Sequence, residues 1–414
     1  MMPPMTESRR ARILIVTRNL PPLVGGMERL NWHMAEELAK VADVRVVGPT
    51  GSAALAPAGV LVREAPLRPL WRFLLRARSR ARREAETWKP DLVLAGSGLT
   101  APLADHAARA CDARTAVYVH GLDVAVRHPV YRALWLPAIR RMDRVIANSN
   151  ATAKLCCDIG VDADRIGIVH PGVDLPETVV ELDTVNLEPS FPRKRESSDF
   201  DARRRGGDAA SSSFRKRHVL GDRPLLLSVG RLSARKGLRE FVTLALPRIV
   251  AARPDAMLLI VGDAPSQALH AEAQTPASIR AAADAAGVGG HVRFLGVITD
   301  YAELGAIYRA ADVHVFPVRE IPGDPEGFGM VAVEAAAHGL PTVAFATGGV
   351  VDAVADGKSG RLVANGDYEA FAMAVRLTLA ERETLRGPCM AYAAQFAWPR
   401  MGDHLRRAVP WPPG

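Results

Sequence analysis

Residues 12–47 read RILIVTRNLPPLVGGMERLNWHMAEELAKVADVRVV. The stretch opens on a short apolar run, Arg12 to Thr17, breaks at a Pro/Gly loop, continues as an amphipathic segment from Met27, and closes on a second apolar run, DVRVVG. That succession is a strand, a loop, a helix and a strand, the βαβ unit of parallel sheets. Comparable runs recur at DLVLAG (91–96), TAVYVH (115–120), RVIANS (144–149) and IGIVHPGV (166–173), separated by Ala- and Arg-rich stretches compatible with helix. Such alternation predicts a doubly wound parallel sheet.

A second series begins at LLLSVG (225–230) and runs through MLLIVG (257–262), VRFLGV (292–297), VHVFPV (313–318), PTVAFA (341–346) and GRLV (360–363). A chain of 414 residues is long enough for two such units. We therefore expect a first domain over 1–175 and a second over 219–390. Between them, 183–218 is rich in Arg, Ser and Gly and poor in aliphatic residues, and reads as a flexible, solvated insertion. The closing segment, 391–414, reads as a helix whose aromatic residues need a surface, here the N-terminal domain.

Apolar residues make up 48% and charged residues 24%, which excludes collagen-like, coiled-coil or wholly disordered chains. No apolar run reaches a membrane span, so a cytoplasmic location is expected, with docking at the cytoplasmic face of the inner membrane compatible with it. Cys111, Cys156, Cys157 and Cys389 have no metal-ligand or redox-motif spacing and read as ordinary thiols. The net charge of +8 sits in the first half: residues 1–172 hold 25 basic against 16 acidic residues, which leaves 28 against 29 in the rest. Nucleic-acid binding would account for such a balance, but no recognised binding motif accompanies it. Residues 68–83, RPLWRFLLRARSRARR, carry seven arginines and no acid, with Trp71, Phe73, Leu74 and Leu75 among them. They read either as an interfacial helix for an anionic membrane or as a solvated helix with a narrow buried stripe.

The candidate site residues follow strands, where open α/β sheets bind ligands. After the first strand, Gly25 and Gly26 let backbone N–H groups approach a bound group, and Glu28 opens the helix; a turn needed only for chain geometry is the plainer alternative. His120 ends TAVYVH with Asp123 three residues on, and Asn148-Ser149 ends RVIANS, where the pair could equally be the cap of the next helix. In the second half, Gly230 and Arg231 follow LLLSVG, with Lys236 five residues on. Two cations near one helix start suit a diphosphate and the charge that builds on a leaving group. Gly262 and Asp263 follow MLLIVG. The densest pattern is Glu326-Gly327-Phe328-Gly329-Met330-Val331-Ala332-Val333-Glu334, in which a carboxylate, two glycines and a helix start coincide. With a helix starting near Phe328, its N-terminus would face the sheet edge. Glu326 and Glu334 would then lie roughly 12 Å apart, at about 1.5 Å per residue, the two ends of one long ligand.

In order, PPLVGGMERL, HGLD, NS, VHPGVD, LSVGRLSARKG, FLG, VFP, EGFGMVAVEAAAHGLPTVAFATGG and the closing FAW resemble glycosyltransferase family 4, whose members include sucrose synthase-like and phosphatidylinositol mannosyltransferase-like enzymes. The resemblance covers nearly the whole chain except the insertion. It implies the GT-B architecture, two doubly wound Rossmann-like α/β domains facing across a cleft, and retention of anomeric configuration. It implies a GDP- or UDP-linked nucleotide sugar as donor, with mannose favoured, a glycan or lipid-linked acceptor, and no cofactor or metal. It implies a diphosphate near Arg231 and Lys236, sugar hydroxyls at Glu326, ribose at Glu334, and His120 near the reacting sugar. Gly25, Gly26, Gly230, Gly262, Asp263, Gly327, Phe328 and Gly329 would complete the donor site, and Glu28, Asp123 and Asn148 the acceptor side. One departure is Gly262-Asp263-Ala264-Pro265, where the family often has a second glycine. A sugar-nucleotide-binding partner subunit without turnover is the alternative within the same fold.

Overall fold

A computed structural model describes residues 9–176, 209–264 and 274–411. Two compact units divide the chain: 1–172 together with 398–414, and 173–397.

The first unit is built on seven strands, β1 (Arg12–Val16), β2 (Asp43–Pro49), β3 (Leu61–Ala65), β4 (Leu92–Ala95), β5 (Arg114–Val119), β6 (Arg144–Ala147) and β7 (Ile166–Ile168). They form one sheet in the order β3-β2-β1-β4-β5-β6-β7, with every pairing parallel. Ile13 faces Val44 on one side and Leu92 on the other. Helices cover both faces, which is why Ile13, Leu14, Ile15 and Val16 are all buried and the strand reads as an unbroken apolar run. Helix α1 (Gly26–Ala39) buries Leu30, Met34 and Leu38, one per turn. Helix α2 (Leu70–Trp88) buries Phe73, Ala77, Ala81 and Ala85, a strict i, i+4 stripe, and leaves Trp71 64% and Leu75 60% exposed. The buried stripe and the exposed pair thus lie on one and the same basic helix.

The second unit holds β8 (Leu225–Val229), β9 (Met257–Val261), β10 (Val292–Gly296), β11 (Val313–Phe316), β12 (Thr342–Phe345) and β13 (Gly360–Val363), ordered β10-β9-β8-β11-β12-β13 and again all parallel. Alternate residues of β8 serve opposite faces: Leu226 packs with Phe241 and Phe371, and Leu225 and Leu227 pack with Ile307 and Tyr308.

The stretch expected as a solvated insertion differs at its end. Residues 183–208 lie outside the described residues, but 209–217 are helical, and Phe214, 1% exposed, packs with Leu220 and Leu225. Arg215 from the same helix bonds the carboxylate of Asp312 at 3.0 Å. One buried ring and one half-buried ion pair make this segment part of the second core. At the other end, residues up to Ala397 belong to the second unit, and the helix Trp398–Ala408 belongs to the first, where it packs on α1. The Trp398 ring stacks on His33 at 3.9 Å, and a Cβ at Gly172 would come within 2.3 Å of it.

Candidate active site

In an open parallel sheet the ligand crevice opens at the carboxyl ends of the strands where their order reverses, here between β1 and β4 in the first unit and between β8 and β11 in the second. The sequence-predicted residues gather at these two edges.

In the second unit, β8 ends at Val229 and the chain turns through Gly230 and an exposed Arg231 into a short 3-10 turn, Ala234–Lys236. The loop after β9 is tied to it: Leu232 N–H donates to the Asp263 carbonyl at 2.9 Å. Lys236 Nζ donates to Glu326 Oε2 at 2.8 Å and lies 4.5 Å over the Phe316 ring. Arg235, which the sequence reading passed over, reaches the same Glu326 oxygen through Nη1, and its Nε lies 3.3 Å from Asp324 Oδ1. Lys236 and Glu326 are 15% and 11% exposed. Burial alone would raise the Glu326 carboxyl, but Arg235 and Lys236 outweigh it and bring the pKa down to about 2. For Lys236 burial wins, and its pKa is lowered although Glu326 opposes the change. Arg231, Arg235 and Lys236 thus stand as three cations against the carboxylates of Asp324 and Glu326, a preformed field for an anionic ligand.

The loop after β12 holds Glu326 in place. Gly349 N–H donates to the Glu326 carbonyl at 2.9 Å, and a Cβ at Gly349 would lie 2.0 Å from the Gly327 carbonyl oxygen, so only glycine allows the approach. The helix expected near Phe328 begins at Met330, because Gly329 caps it at φ 98°. Glu326 therefore belongs to the preceding loop, and the wholly helical spacing to Glu334 does not apply. Phe328, expected among the donor contacts, turns its ring into the core against Phe396, at 5.6 Å, and is 2% exposed; its backbone alone is left for a ligand. Glu334 accepts from the Tyr308 hydroxyl at 3.1 Å.

In the first unit, the Gly25-Gly26 loop wraps onto Glu28, whose Oε1 accepts from Asn19 Nδ2 at 2.8 Å. His120 Nε2 lies 3.0 Å from the Gly96 carbonyl oxygen. A carbonyl only accepts, so Nε2 carries the proton and Nδ1 presents its lone pair. Asp123 accepts from the backbone N–H of His120 at 3.0 Å, so its carboxylate braces the turn rather than the imidazole. Asn31, fully buried on α1, donates to the same Gly96 carbonyl at 3.2 Å, a clamp the sequence reading missed. Asn148 is 4% exposed and its Oδ1 has no hydrogen-bond partner.

A cavity of about 860 Å³ lies at the opposite, amino edge of the second sheet, lined by Arg215, Arg309, Asp312, His338 and Arg382 among others. Arg215 and Arg382 both pair with Asp312 there, so much of its charge is already matched. Among the described residues no three His, Cys, Asp or Glu side chains form a metal-binding group.

Two all-parallel Rossmann-like sheets in one chain, each with candidate site residues at its carboxyl edge, make the architecture of the GT-B fold. Solved structures share the fold: Anabaena HepE in complex with UDP and glucose superposes with a TM-score of 0.69 over 95% of this chain and 98% of that one at 20% identity. Sucrose-phosphate synthase from Thermosynechococcus elongatus does so at 0.70 over 96% and 98%, also at 20% identity. The family model for Glycosyltransferase Family 4 matches residues 24–177, and that for Glycosyl transferases group 1 matches residues 211–394. The GDP-mannose-dependent alpha-(1-6)-phosphatidylinositol monomannoside mannosyltransferase of Mycolicibacterium smegmatis is 30% identical over 89% of both chains. The chain belongs to this glycosyltransferase family. The D-inositol 3-phosphate glycosyltransferase of Geodermatophilus obscurus is 35% identical over 64% of this chain, a match spanning 52% of that relative's own length.

Proposed function

We propose that this protein is a retaining glycosyltransferase that moves a hexose, with mannose favoured, from a nucleotide diphosphate sugar to a glycan or lipid-linked acceptor. The observation that carries the reading is the Arg235–Lys236–Glu326 cluster beside Arg231 at the carboxyl edge of the second sheet. Arg231 and Lys236 neutralise the diphosphate as it leaves, a role that needs no metal ion. Glu326, held ionised, accepts hydrogen bonds from hydroxyls of the donor sugar. His120, with its proton fixed on Nε2, offers Nδ1 to a sugar hydroxyl. The mannosyltransferase relative, GDP-mannose-dependent by its name, supports the choice of sugar and base.

The basic helix α2 supports a lipid-linked acceptor and docking on an anionic membrane surface, since Trp71 and Leu75 stand exposed among Arg72, Arg76, Arg78 and Arg80. Among the described residues no helix is long and apolar enough to cross a membrane.

The test is a thermal shift of the full-length protein, in the presence of EDTA, against GDP, UDP, GDP-mannose, UDP-glucose and UDP-N-acetylglucosamine. A rise with one base and its sugar conjugate is expected, because a ligand of the native state stabilises it by mass action. A flat response to all five sinks the donor assignment, and a rise only when Mg²⁺ replaces EDTA sinks the metal-free mechanism.

A further inference from the structure

Arg231, Arg235 and Lys236 lie on one stretch bracketed by glycines at positive φ, Gly230 at 137° and Gly237 at 67°. Its regular structure is the single 3-10 turn Ala234–Lys236, too short to fix three like charges by itself. Asp324 and Glu326 meet the side chains of Arg235 and Lys236. The backbone between the glycines is held separately.

Besides the tie to Asp263, two hydrogen bonds reach that backbone from outside, one beside Arg231 and one beside Lys236. Gln274 N–H donates to the Leu232 carbonyl at 3.1 Å, and Arg319 N–H donates to the Arg235 carbonyl at 2.8 Å. Both residues then turn their side chains to one carboxylate, that of Glu240 on the helix Leu238–Leu244. Gln274 Nε2 donates to Glu240 Oε2 at 3.1 Å, and Arg319 Nη1 donates to Glu240 Oε1 at 2.6 Å. Gln274 is 1% exposed and its other end is committed too, since Oε1 accepts from the Arg239 N–H at 3.1 Å. A Cβ at Gly237 would come within 2.2 Å of the Pro317 carbonyl oxygen, so the segment carrying Arg319 packs directly on the end of the stretch.

The two partners explain why a carboxylate stands at position 240. Gln274 Nε2 and Arg319 Nη1 are both donors, so the group between them must accept twice. A carboxylate does so with one oxygen for each, whereas an amide has one oxygen and would face the second donor with its own NH2. Turning the Gln274 amide over would give up its bond from Arg239.

We infer that Glu240 is a positioning residue for the diphosphate: it locks Gln274 and Arg319, and through their backbone N–H groups it sets where Arg231, Arg235 and Lys236 stand. The inference rests on the transferase reading above and deepens it. In that reading the ribose belongs to Glu334, outside the stretch, so loosening the stretch is felt at the phosphates.

The test is calorimetric titration of the full-length protein with GDP, GMP, UDP and UMP. The wild type binds one diphosphate more tightly than the matching monophosphate. The ratio of those two affinities is the readout, because a general loss of structure weakens both alike. Glu240→Gln lowers the ratio roughly 3- to 10-fold, about the worth of one hydrogen bond. Arg319→Met, at a side chain 38% exposed, lowers it in the same range and reads the same link where Glu240→Gln does not fold. Arg319→Lys keeps a donor and restores part of the ratio. In an Arg319→Met background Glu240→Gln has little further effect, since the amide oxygen then serves the one donor left. An unchanged ratio in either folded single variant overturns the inference, as does equal weakening of monophosphate and diphosphate, which leaves Glu240 a structural role alone. An undiminished effect of Glu240→Gln in the Arg319→Met background overturns it too. A wild type that binds none of the four nucleotides defeats the transferase reading itself, a separate result that takes the inference with it.

Discussion

Replacing Glu326 by Gln keeps the shape of the side chain and removes the charge that Arg235 and Lys236 share. A pKa lowered from 4.5 to about 2 in the folded protein corresponds to about 3 kcal/mol at about 1.4 kcal/mol per unit. Breaking a buried ion pair from one side costs roughly 3–5 kcal/mol, which agrees. For a domain of this size about 1 kcal/mol moves the melting temperature by roughly 2–4 °C, so Glu326→Gln should melt about 6–12 °C lower than the wild type at pH 7. The sign with pH follows from the direction of the shift. The folded pKa is the lower one, so the contribution is complete above 4.5 and drains away as the pH falls toward 2. The gap between the two proteins should therefore begin to close below pH 4.5. Because the variant leaves two buried cations facing each other, an added nucleoside diphosphate should raise its melting temperature more than that of the wild type. Calorimetry with and without GDP or UDP reads all three effects. A fall of less than about 1 kcal/mol, or a nucleotide response equal to that of the wild type, would refute the idea that Glu326 holds the cations in check.

Gly349→Ala should cost more than about 1 kcal/mol in denaturant unfolding and weaken nucleotide binding, because its methyl group would displace the Gly327 carbonyl 2.0 Å away. His314, fully buried, is lowered to about 3 by burial and then by Lys236. Its folded pKa lies below 6.5, so the stability it carries is full above that pH and is lost as the pH falls toward 3, at up to about 1.4 kcal/mol per unit; His314→Gln should flatten the stability profile between pH 6.5 and 5. Trp71→Ser with Leu75→Ser, at two exposed positions, should leave unfolding within about 0.5 kcal/mol of the wild type yet reduce flotation with anionic vesicles. Undiminished flotation would remove α2 from the membrane reading.

Most strands of both sheets were legible because a parallel strand, covered on both faces, reads as an unbroken apolar run, as ILIV in β1 and MLLIV in β9 do. Strand β3 was not, since LVREA sits at an edge where Arg63 is exposed and Glu64 only half-buried. Helix 209–217 escaped notice because one phenylalanine amid serines and cations carries no period. Lys236 and Glu326 were chosen for their types, but Arg235 could not be told from any other surface arginine. Only the fold brings it across 91 residues to the same oxygen. Asn31 was hidden for a related reason: a buried asparagine declares itself only by its surroundings.

The first unit is written in two pieces, with 173–397 between them, so its last helix reaches the ribosome's exit long after the rest. At roughly 5–20 residues per second, those intervening residues take about 10–45 s to synthesise. Throughout that interval the α1 face that Trp398 will cover, with His33 at its centre, stands open on a nascent chain. Val173 and Ala397 pair with each other where the chain leaves and returns, so the second unit has adjacent ends and can complete its own core first. Vectorial synthesis thus exposes the whole of the second unit before the helix that completes the first.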